Sequence, residues 1–260
     1  MAHVAVASGY WDEVADSWLG SSSPPLWRRH SDAVNRRLIE TWLSPHGSGS
    51  GLKTDLFDEA IAEGLYPLLA AKTDRVVGIH VSTSVIQAAR RRYPGLEAAR
   101  TDVRELSFGD GEFDVVVSLS TLDHFETLDE LAVKVRELQR VLRLGRTLLL
   151  TLDNRANPLV ALRNALPFPW LSRLGLAPYD VGATCGPRRL RRILHEAGFE
   201  VRAATAIVHC PRALAGALQR RTGASGQARF VRLLLPFERL GRWPTRFVTG
   251  HFIAMNAVKR

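Results

Sequence analysis

The chain has 260 residues, of which 46% are hydrophobic and 23% charged, a balance that is ordinary for one globular domain and excludes a disordered chain. Its formal net charge of +9 comes almost wholly from arginine, since only four of its 35 basic residues are lysines. The amino terminus lacks a basic leader, no apolar run reaches the roughly 18 residues of a spanning helix, and the two cysteines lack CxxC spacing, so we predict a cytoplasmic protein.

The first 45 residues predict a helical extension, or cap, that precedes the main domain. Apolar and aromatic residues recur at helical spacing between Leu26 and Trp42, which indicates an amphipathic helix. A stretch rich in glycine and serine over residues 44–51 then predicts a linker.

Strands and helices alternate from residue 50 onwards, and we predict one domain over 50–260. The strongest strand signal is Phe113–Ser118, whose valines are typical of a strand buried on both faces. A helix is expected to begin at Ser84, which has capping-box spacing to Gln87, and another to end at Gly145. This alternation predicts a parallel sheet with helices on both faces. The predicted strands are 52–57, 75–81, 96–103, 113–118, 147–152, 199–209 and 252–258, and the predicted helices are 64–72, 84–93, 129–143 and 187–197.

A basic insert at 211–250 interrupts the alternation before the last strand. It has eight arginines and a single acid, Glu238, and bulky apolar residues lie between the arginines. This pattern favours contact with an anionic membrane surface, a hydrophobic substrate lid or a homodimer interface over a nucleic-acid partner. The alternative is a solvated helix pair that packs on the sheet.

Four segments resemble the motifs of class I (Rossmann-like) S-adenosylmethionine-dependent methyltransferases. Asp110–Ser118 resembles the approach to that family's fourth strand, and Glu137–Asp153 resembles its fifth. Leu190–Val201 resembles the entry to the sixth strand, and Val76–Ser82 resembles the second. The resemblance spans residues 50–210 and implies a Rossmann-like, seven-stranded α/β sheet with an antiparallel last strand. It also implies that S-adenosylmethionine binds at the carboxyl ends of the parallel strands.

The resemblance places the first cofactor loop at Lys53–Ala60, where the family has a strand-end acid followed by a glycine-rich turn. Asp55 matches the acid, but Phe57, Asp58 and Glu59 replace glycines, a variant that resembles one subgroup of the family. The two carboxylates either face the cationic groups of the cofactor or stabilise the amino-terminal end of the following helix. The predicted cofactor contacts of this loop are Lys53, Thr54, Asp55, Asp58 and Gly64.

A second departure lies at the end of the second strand, where the family has an acid that binds both ribose hydroxyls and this chain has His80. A neutral imidazole offers one donor and one acceptor, so it can hold a ribose less well than a carboxylate can. The alternative is an impaired cofactor site. His80 and the adjacent Val81 are predicted cofactor contacts.

Residues after the third and fourth strands complete the predicted cofactor site. The resemblance implies that Asp102 accepts a hydrogen bond from the adenine amino group and that Val103 packs on the ring; Asp102 could instead cap a turn. Ser118, Leu119 and Ser120 at the end of the fourth strand are predicted to line the cofactor.

Methyl transfer depends mainly on alignment of the nucleophile, and some acceptors also need a general base. His124 is the candidate base and Asp123 the residue that orients it, because both follow the fourth strand. The alternative is that His124 only packs or lines the pocket. His, Cys, Asp and Glu do not cluster at metal-ligand spacing, so no metal is predicted.

We therefore predict an S-adenosylmethionine-dependent methyltransferase that acts on a small, hydrophobic organic acceptor. The alternative is a catalytically silent protein of the same fold that serves as a scaffold or partner subunit. A nicotinamide-dependent oxidoreductase is disfavoured, because the chain has no Gly-x-Gly-x-x-Gly sequence.

Overall fold

The structure is a computed structural model. It describes residues 26–43, 49–122, 127–166, 184–211 and 227–260, together with Gly9, Asp12, Glu13, Trp170, Arg173, Gly182 and Ala215.

Seven strands and nine α-helices make up the described part of the chain. The strands are β1 Ser50–Lys53, β2 Arg75–His80, β3 Glu97–Arg100, β4 Phe113–Leu119, β5 Leu142–Asp153, β6 Phe199–Ile207 and β7 Phe252–Lys259. The helices are α1 Leu26–Trp42, α2 Phe57–Ile61, α3 Tyr66–Ala70, α4 Thr83–Arg92, α5 Leu128–Val141, α6 Pro158–Ala165, α7 Pro187–Glu196, α8 Gln227–Leu234 and α9 Arg246–Thr249, with a 3₁₀ helix at Leu235–Arg242.

The strands form one sheet in the order β3-β2-β1-β4-β5-β7-β6. Strands β1 to β5 pair in parallel, whereas β7 is antiparallel to both β5 and β6. The predicted Rossmann-like α/β fold with an antiparallel last strand is confirmed. Strand order reverses between β1 and β4, and in open sheets of this kind ligands bind beyond the carboxyl ends of the strands at that point.

Alternate residues of the central strands enter two different cores. Val116 of β4 packs with α5 and α7 on one face of the sheet. Val115 and Val117 of the same strand pack on the other face, with Ile39 of α1. Ile39 is fully buried in this second core, so α1 packs against this face of the sheet.

Some predicted element boundaries were wrong for local reasons. Strand β1 ends at Lys53, because the Asp55 carboxylate accepts a hydrogen bond from the Phe57 N–H (2.9 Å) and starts α2 there. Helix α4 is capped by Ser82, not Ser84, since the Ser82 hydroxyl accepts from the Val85 N–H. Gly145, predicted to end a helix, instead lies inside β5 with a positive φ of 74°.

None of the helices in the described ranges is both long enough and apolar enough to cross a membrane.

Candidate active site

A cleft crosses the carboxyl edge of the sheet and lies between that edge and helix α1. Its empty volume, which includes space open to solvent, is about 1240 Å³. One wall, the sheet wall, comes from residues that follow β1, β2, β3 and β4 and from the start of β7. The other, the helix wall, is one face of α1, formed by Trp27, Arg28, Ser31, Asp32 and Asn35.

The β1–α2 loop is held by a buried ion pair beneath the sheet wall. Lys53 Nζ donates to Glu59 Oε2 at 2.8 Å and also to the Asp55 carbonyl. The other Glu59 oxygen accepts from the backbone N–H groups of Leu65 (2.8 Å) and Tyr66 (3.1 Å). Burial alone would lower the pKa of Lys53, but the nearby carboxylates, Glu59 first, outweigh burial and raise it.

Gly64 is needed because Glu59 lies directly below it. A Cβ at this position would come within 2.6 Å of the Glu59 carboxyl group, and the Gly64 φ of +61° also favours glycine. This gives a structural reason for the glycine, and its predicted role as a cofactor contact stays a prediction. Glu59 stabilises the start of α3, which is the second of the two roles weighed for it from the sequence.

Asp58 differs from its neighbour Glu59, because its side chain faces the cleft. It forms an ion pair with Arg28 of α1, which joins the loop to the helix wall. The Arg28 guanidinium also lies over the rings of Trp27 (5.2 Å to the centroid) and Phe57 (5.1 Å). Arg28 thus connects the two walls at one end of the cleft.

His80 is buried at the end of β2, and this burial lowers its pKa below the ordinary value, which favours the neutral imidazole. Its Nδ1 accepts from the Ser82 N–H at 2.9 Å, so the ring proton lies on Nε2, which is 3.3 Å from Asp55 Oδ1. The Ser82 hydroxyl also donates to Asp12 of the amino-terminal segment. The His80 imidazole thus lies beside the Asp55 carboxylate, and Asp12 is joined to the same strand end through Ser82.

Asp102 lies in a turn after β3 and is tied to Arg104. Its Oδ1 accepts from the Arg104 N–H (2.8 Å) and its Oδ2 from the guanidinium (2.6 Å). The bond from the Arg104 N–H makes Asp102 a turn cap, which was one of the two roles weighed for it. Because Oδ2 accepts from both Nε and Nη2 of Arg104, only Oδ1 keeps a lone pair for a donor in the cleft, and the contact with the adenine amino group stays a prediction. Val103 follows it in the cleft wall.

Hydroxyl groups join the ends of β1 and β4. Thr54 Oγ1 donates to Ser118 Oγ at 3.0 Å and lies 2.9 Å from Thr121 Oγ1. Ser120 has a positive φ of 52°, an uncommon conformation for a residue other than glycine. Its N–H donates to Thr151 Oγ1 of β5 (2.9 Å), which holds this turn against the neighbouring strand.

The structure brings together most of the predicted cofactor residues. Lys53, Gly64 and Ser118 lie beneath the cleft surface, and His124 and Asp123 fall outside the described residues, so their proposed catalytic roles stay predictions. The predicted residues that line the cleft are Thr54, Asp55, Asp58, His80, Val81, Asp102, Val103, Leu119 and Ser120.

The sequence analysis missed the helix wall. Arg28, Asp32 and Asn35 are polar residues next to the apolar stripe of an amphipathic helix. Polar residues at the edge of such a stripe were the one feature of the sequence that could have indicated a functional face on this helix. Phe57, Thr101, Arg104, Thr121 and Phe252 also line the cleft without having been predicted.

Residues 47–150 match the family model of a methyltransferase domain. Over these residues the chain resembles a methyltransferase domain, and the strand order of the sheet agrees with that likeness. A search of curated sequences gives no match.

Solved structures of methyltransferases share the fold. The N-methyltransferase NodS from Bradyrhizobium japonicum, solved with S-adenosylhomocysteine, is 15% identical, with 95% of this chain and 97% of that chain covered and a TM-score of 0.54. A methyltransferase from Methanosarcina mazei is 18% identical, with 85% and 96% covered and a TM-score of 0.56. The [4+2]-cyclase SpnF is 15% identical, with 86% and 80% covered and a TM-score of 0.58. At these identities the likeness concerns the fold alone.

The cleft residues fit S-adenosylmethionine, which has an adenine ring, two ribose hydroxyls and a charged amino-acid end. Val81 and Val103 offer apolar contact beside the Asp102 acceptor. Arg28 and Asp58 offer both signs of charge at the other end of the cleft. Bound there, S-adenosylmethionine supplies an electrophilic methyl group. Within the described ranges, no three His, Cys, Asp or Glu side chains are grouped so that they could hold a metal ion.

Proposed function

We propose that this protein transfers the methyl group of S-adenosylmethionine to a small, hydrophobic organic acceptor. The observation that supports this most directly is the cleft at the carboxyl edge of the methyltransferase sheet, with polar groups at its two ends. Methyl transfer from a sulfonium requires that the nucleophile be held in line with the methyl group in a site that excludes water. Helix α1 covers the strand ends in a way that suits this requirement.

An apolar acceptor suits the lining of the cleft. Trp27 and Phe57 contribute aromatic surface at one end, and Leu119 and Phe252 lie across the ends of β4 and β7.

Apolar residues also continue onto the surface beside the cleft edge. Helix α6 follows β5 and α9 precedes β7, so both lie at this edge, and Asn157 Nδ2 joins them by donating to the Thr249 carbonyl at 3.0 Å. Leu159 and Leu162 of α6 and Val248 of α9 are each more than half exposed. Such a surface supports the approach of an apolar molecule to the cleft. The membrane or homodimer contact predicted for 211–250 stays a prediction.

Calorimetric titration with S-adenosylmethionine and S-adenosylhomocysteine tests the first part of the proposal. We expect wild-type protein to bind both in the micromolar range, and Asp102→Asn to weaken binding at least about tenfold, since a charged hydrogen bond contributes roughly 1.5–3 kcal/mol. Asp129→Asn, an exposed change on α5, is the matched control and should bind as wild type does. No binding by wild type, with recovery in His80→Asp, would instead favour a catalytically silent protein.

The hydrophobic character of the acceptor is tested with two homologous series, n-alkyl amines and n-alkan-1-ols, by the release of S-adenosylhomocysteine. We expect kcat/KM of the series that is accepted to rise about fourfold per methylene, because each buried CH₂ contributes about 0.8 kcal/mol. A rate that does not depend on chain length would contradict an apolar acceptor site and leave methyl transfer itself intact.

A further inference from the structure

Asp32 of α1 is a cleft carboxylate that forms neither a hydrogen bond nor an ion pair in the described part of the chain. The other three carboxylates of the cleft lining have partners: Asp58 pairs with Arg28, Asp102 with Arg104, and Asp55 accepts from the Phe57 N–H. Asp32 is partly buried on the helix wall, between Arg28 one turn before it and Asn35 one turn after it. Because Asp32 lines the cleft, its carboxyl group is accessible to a molecule bound there.

The cations near Asp32 are already committed to other carboxylates. Arg28 is paired with Asp58, and Lys53 lies below the surface with Glu59. The cleft lining as a whole has four carboxylates and two guanidinium groups, in a chain whose net charge is +9. The site is therefore acidic within a basic protein, and it attracts cations more strongly than any other charge type.

Burial first, and then the charge of Asp58, raise the pKa of Asp32 to about 8. Asp32 is therefore ionised, and able to accept a proton as a general base does, at pH values above about 8.

We propose that Asp32 receives the methyl acceptor, that the acceptor is an amine, and that Asp32 takes the proton which the amine must lose before it can attack. This inference rests on the methyl-transfer function proposed above, and it names the class of nucleophile for the same cleft. The partnerless carboxylate on the helix wall faces the cleft, where an ammonium group would pair with it.

The step balances in charge and atoms. The ammonium R–NH₃⁺ gives one proton to the Asp32 carboxylate and becomes R–NH₂. The nitrogen lone pair then forms a bond to the methyl carbon, while the bond from that carbon to sulfur breaks and its electron pair stays on sulfur. The products are a neutral thioether, S-adenosylhomocysteine, and a methylated ammonium ion.

The acidic lining distinguishes an amine from other nucleophiles. With a neutral amine, one positive charge moves from sulfur to nitrogen and persists through the transition state, so the carboxylates stabilise it throughout. A carboxylate or phenolate acceptor would enter a lining in which carboxyl groups outnumber guanidinium groups, so it would be held less well than an ammonium ion. An alcohol would bring no cation to pair with Asp32.

The test uses the full chain with S-adenosylmethionine and matched probes: hexylamine, octylamine and 2-phenylethylamine against hexanol, octanol and 2-phenylethanol. We expect release of S-adenosylhomocysteine with the amines alone. Asp32→Asn should lower kcat at least about 100-fold, the usual effect of losing a general base, and Asp32→Glu should recover part of that loss. The dissociation constant for S-adenosylmethionine should change less than about twofold in Asp32→Asn, and Asp129→Asn serves as the control.

Each contrary result has a separate meaning. If S-adenosylmethionine does not bind to wild type, the proposed function fails before acceptor chemistry is tested. If it binds and the alcohols are methylated instead, or none of the amines is, the amine proposal is wrong. If Asp32→Asn weakens cofactor binding more than tenfold and leaves kcat unchanged, Asp32 contacts the cofactor and is not the base.

Discussion

The two walls of the cleft are built differently. The sheet wall is fixed by short-range hydrogen bonds and by a fully buried ion pair, Lys53–Glu59, that belongs to the loop itself. The helix wall is a separate element that is joined to the loop by side chains: Arg28 pairs with Asp58 in the cleft, and Arg36 contacts Glu63 and the Gly64 carbonyl outside it. Substitutions that break the support of the sheet wall should therefore destabilise the fold, whereas substitutions on the helix wall should cost less stability. We infer that the sheet wall, together with Arg28, serves the cofactor and that the rest of the helix wall, including Asp32, serves acceptor choice.

The largest effect is expected from breaking the support of the sheet wall. Glu59→Gln leaves the Lys53 ammonium buried without its counter-charge, which should lower the free energy of unfolding by about 3–5 kcal/mol in urea denaturation. Glu63→Gln is the matched control on the same loop: the Glu63 side chain is 70% exposed in its pair with Arg36, and its loss should change stability by less than about 0.5 kcal/mol.

Adding Lys53→Met to Glu59→Gln should recover part of the lost stability, because the double variant has no buried ammonium that would need a counter-charge. If the single Glu59→Gln variant is as stable as wild type, the sheet wall does not depend on this pair, and the distinction between the two walls disappears.

A smaller and local effect is expected when the two walls are disconnected. Arg28→Met keeps the aliphatic volume but removes both the ion pair with Asp58 and the cation over Trp27 and Phe57. We expect a loss of about 1–3 kcal/mol, concentrated in α1. Hydrogen exchange measures it: amides of α1 should lose protection while those of β4 keep it. Arg37→Met, an exposed change on the same helix, should leave both unchanged; equal loss in α1 and β4 would mean that the helix wall is not a separate unit.

The smallest effect is a gain in stability. The folded state keeps the Asp32 proton up to about pH 8, whereas the unfolded chain loses it near pH 4. Between these pH values ionisation therefore favours the unfolded chain, and the free energy of unfolding of the wild type falls progressively as the pH rises. Asp32→Asn cannot ionise, and its advantage should grow from pH 5 to at least about 1 kcal/mol at pH 9. Urea midpoints at the two pH values measure it. A difference that does not change with pH would show that Asp32 is already solvated.

The sequence predicted the sheet wall better than the helix wall, for a physical reason. The carboxyl ends of parallel strands converge at one edge, so residues such as His80 and Asp102 could be placed together once the strand order was inferred. No comparable rule gives the rotation of a capping helix, so Asp32 could not be assigned to the cleft. Neighbouring residues also point in different directions, and sequence position alone could not tell that Asp58 faces the cleft while Glu59 is buried.

Gly64 restricts which amino-acid replacements this loop can accept during evolution. Its missing side chain leaves room for Glu59, and Glu59 in turn neutralises Lys53, so each of the three residues is required by another. A larger residue at position 64 would collide with the Glu59 carboxylate. Loss of that carboxylate would leave the buried Lys53 ammonium without a counter-charge. No single replacement leads from this loop to a glycine-rich one without passing through a poorly folded protein. We therefore expect the three residue types to be inherited as a set, so that descendants either keep all three or exchange them together.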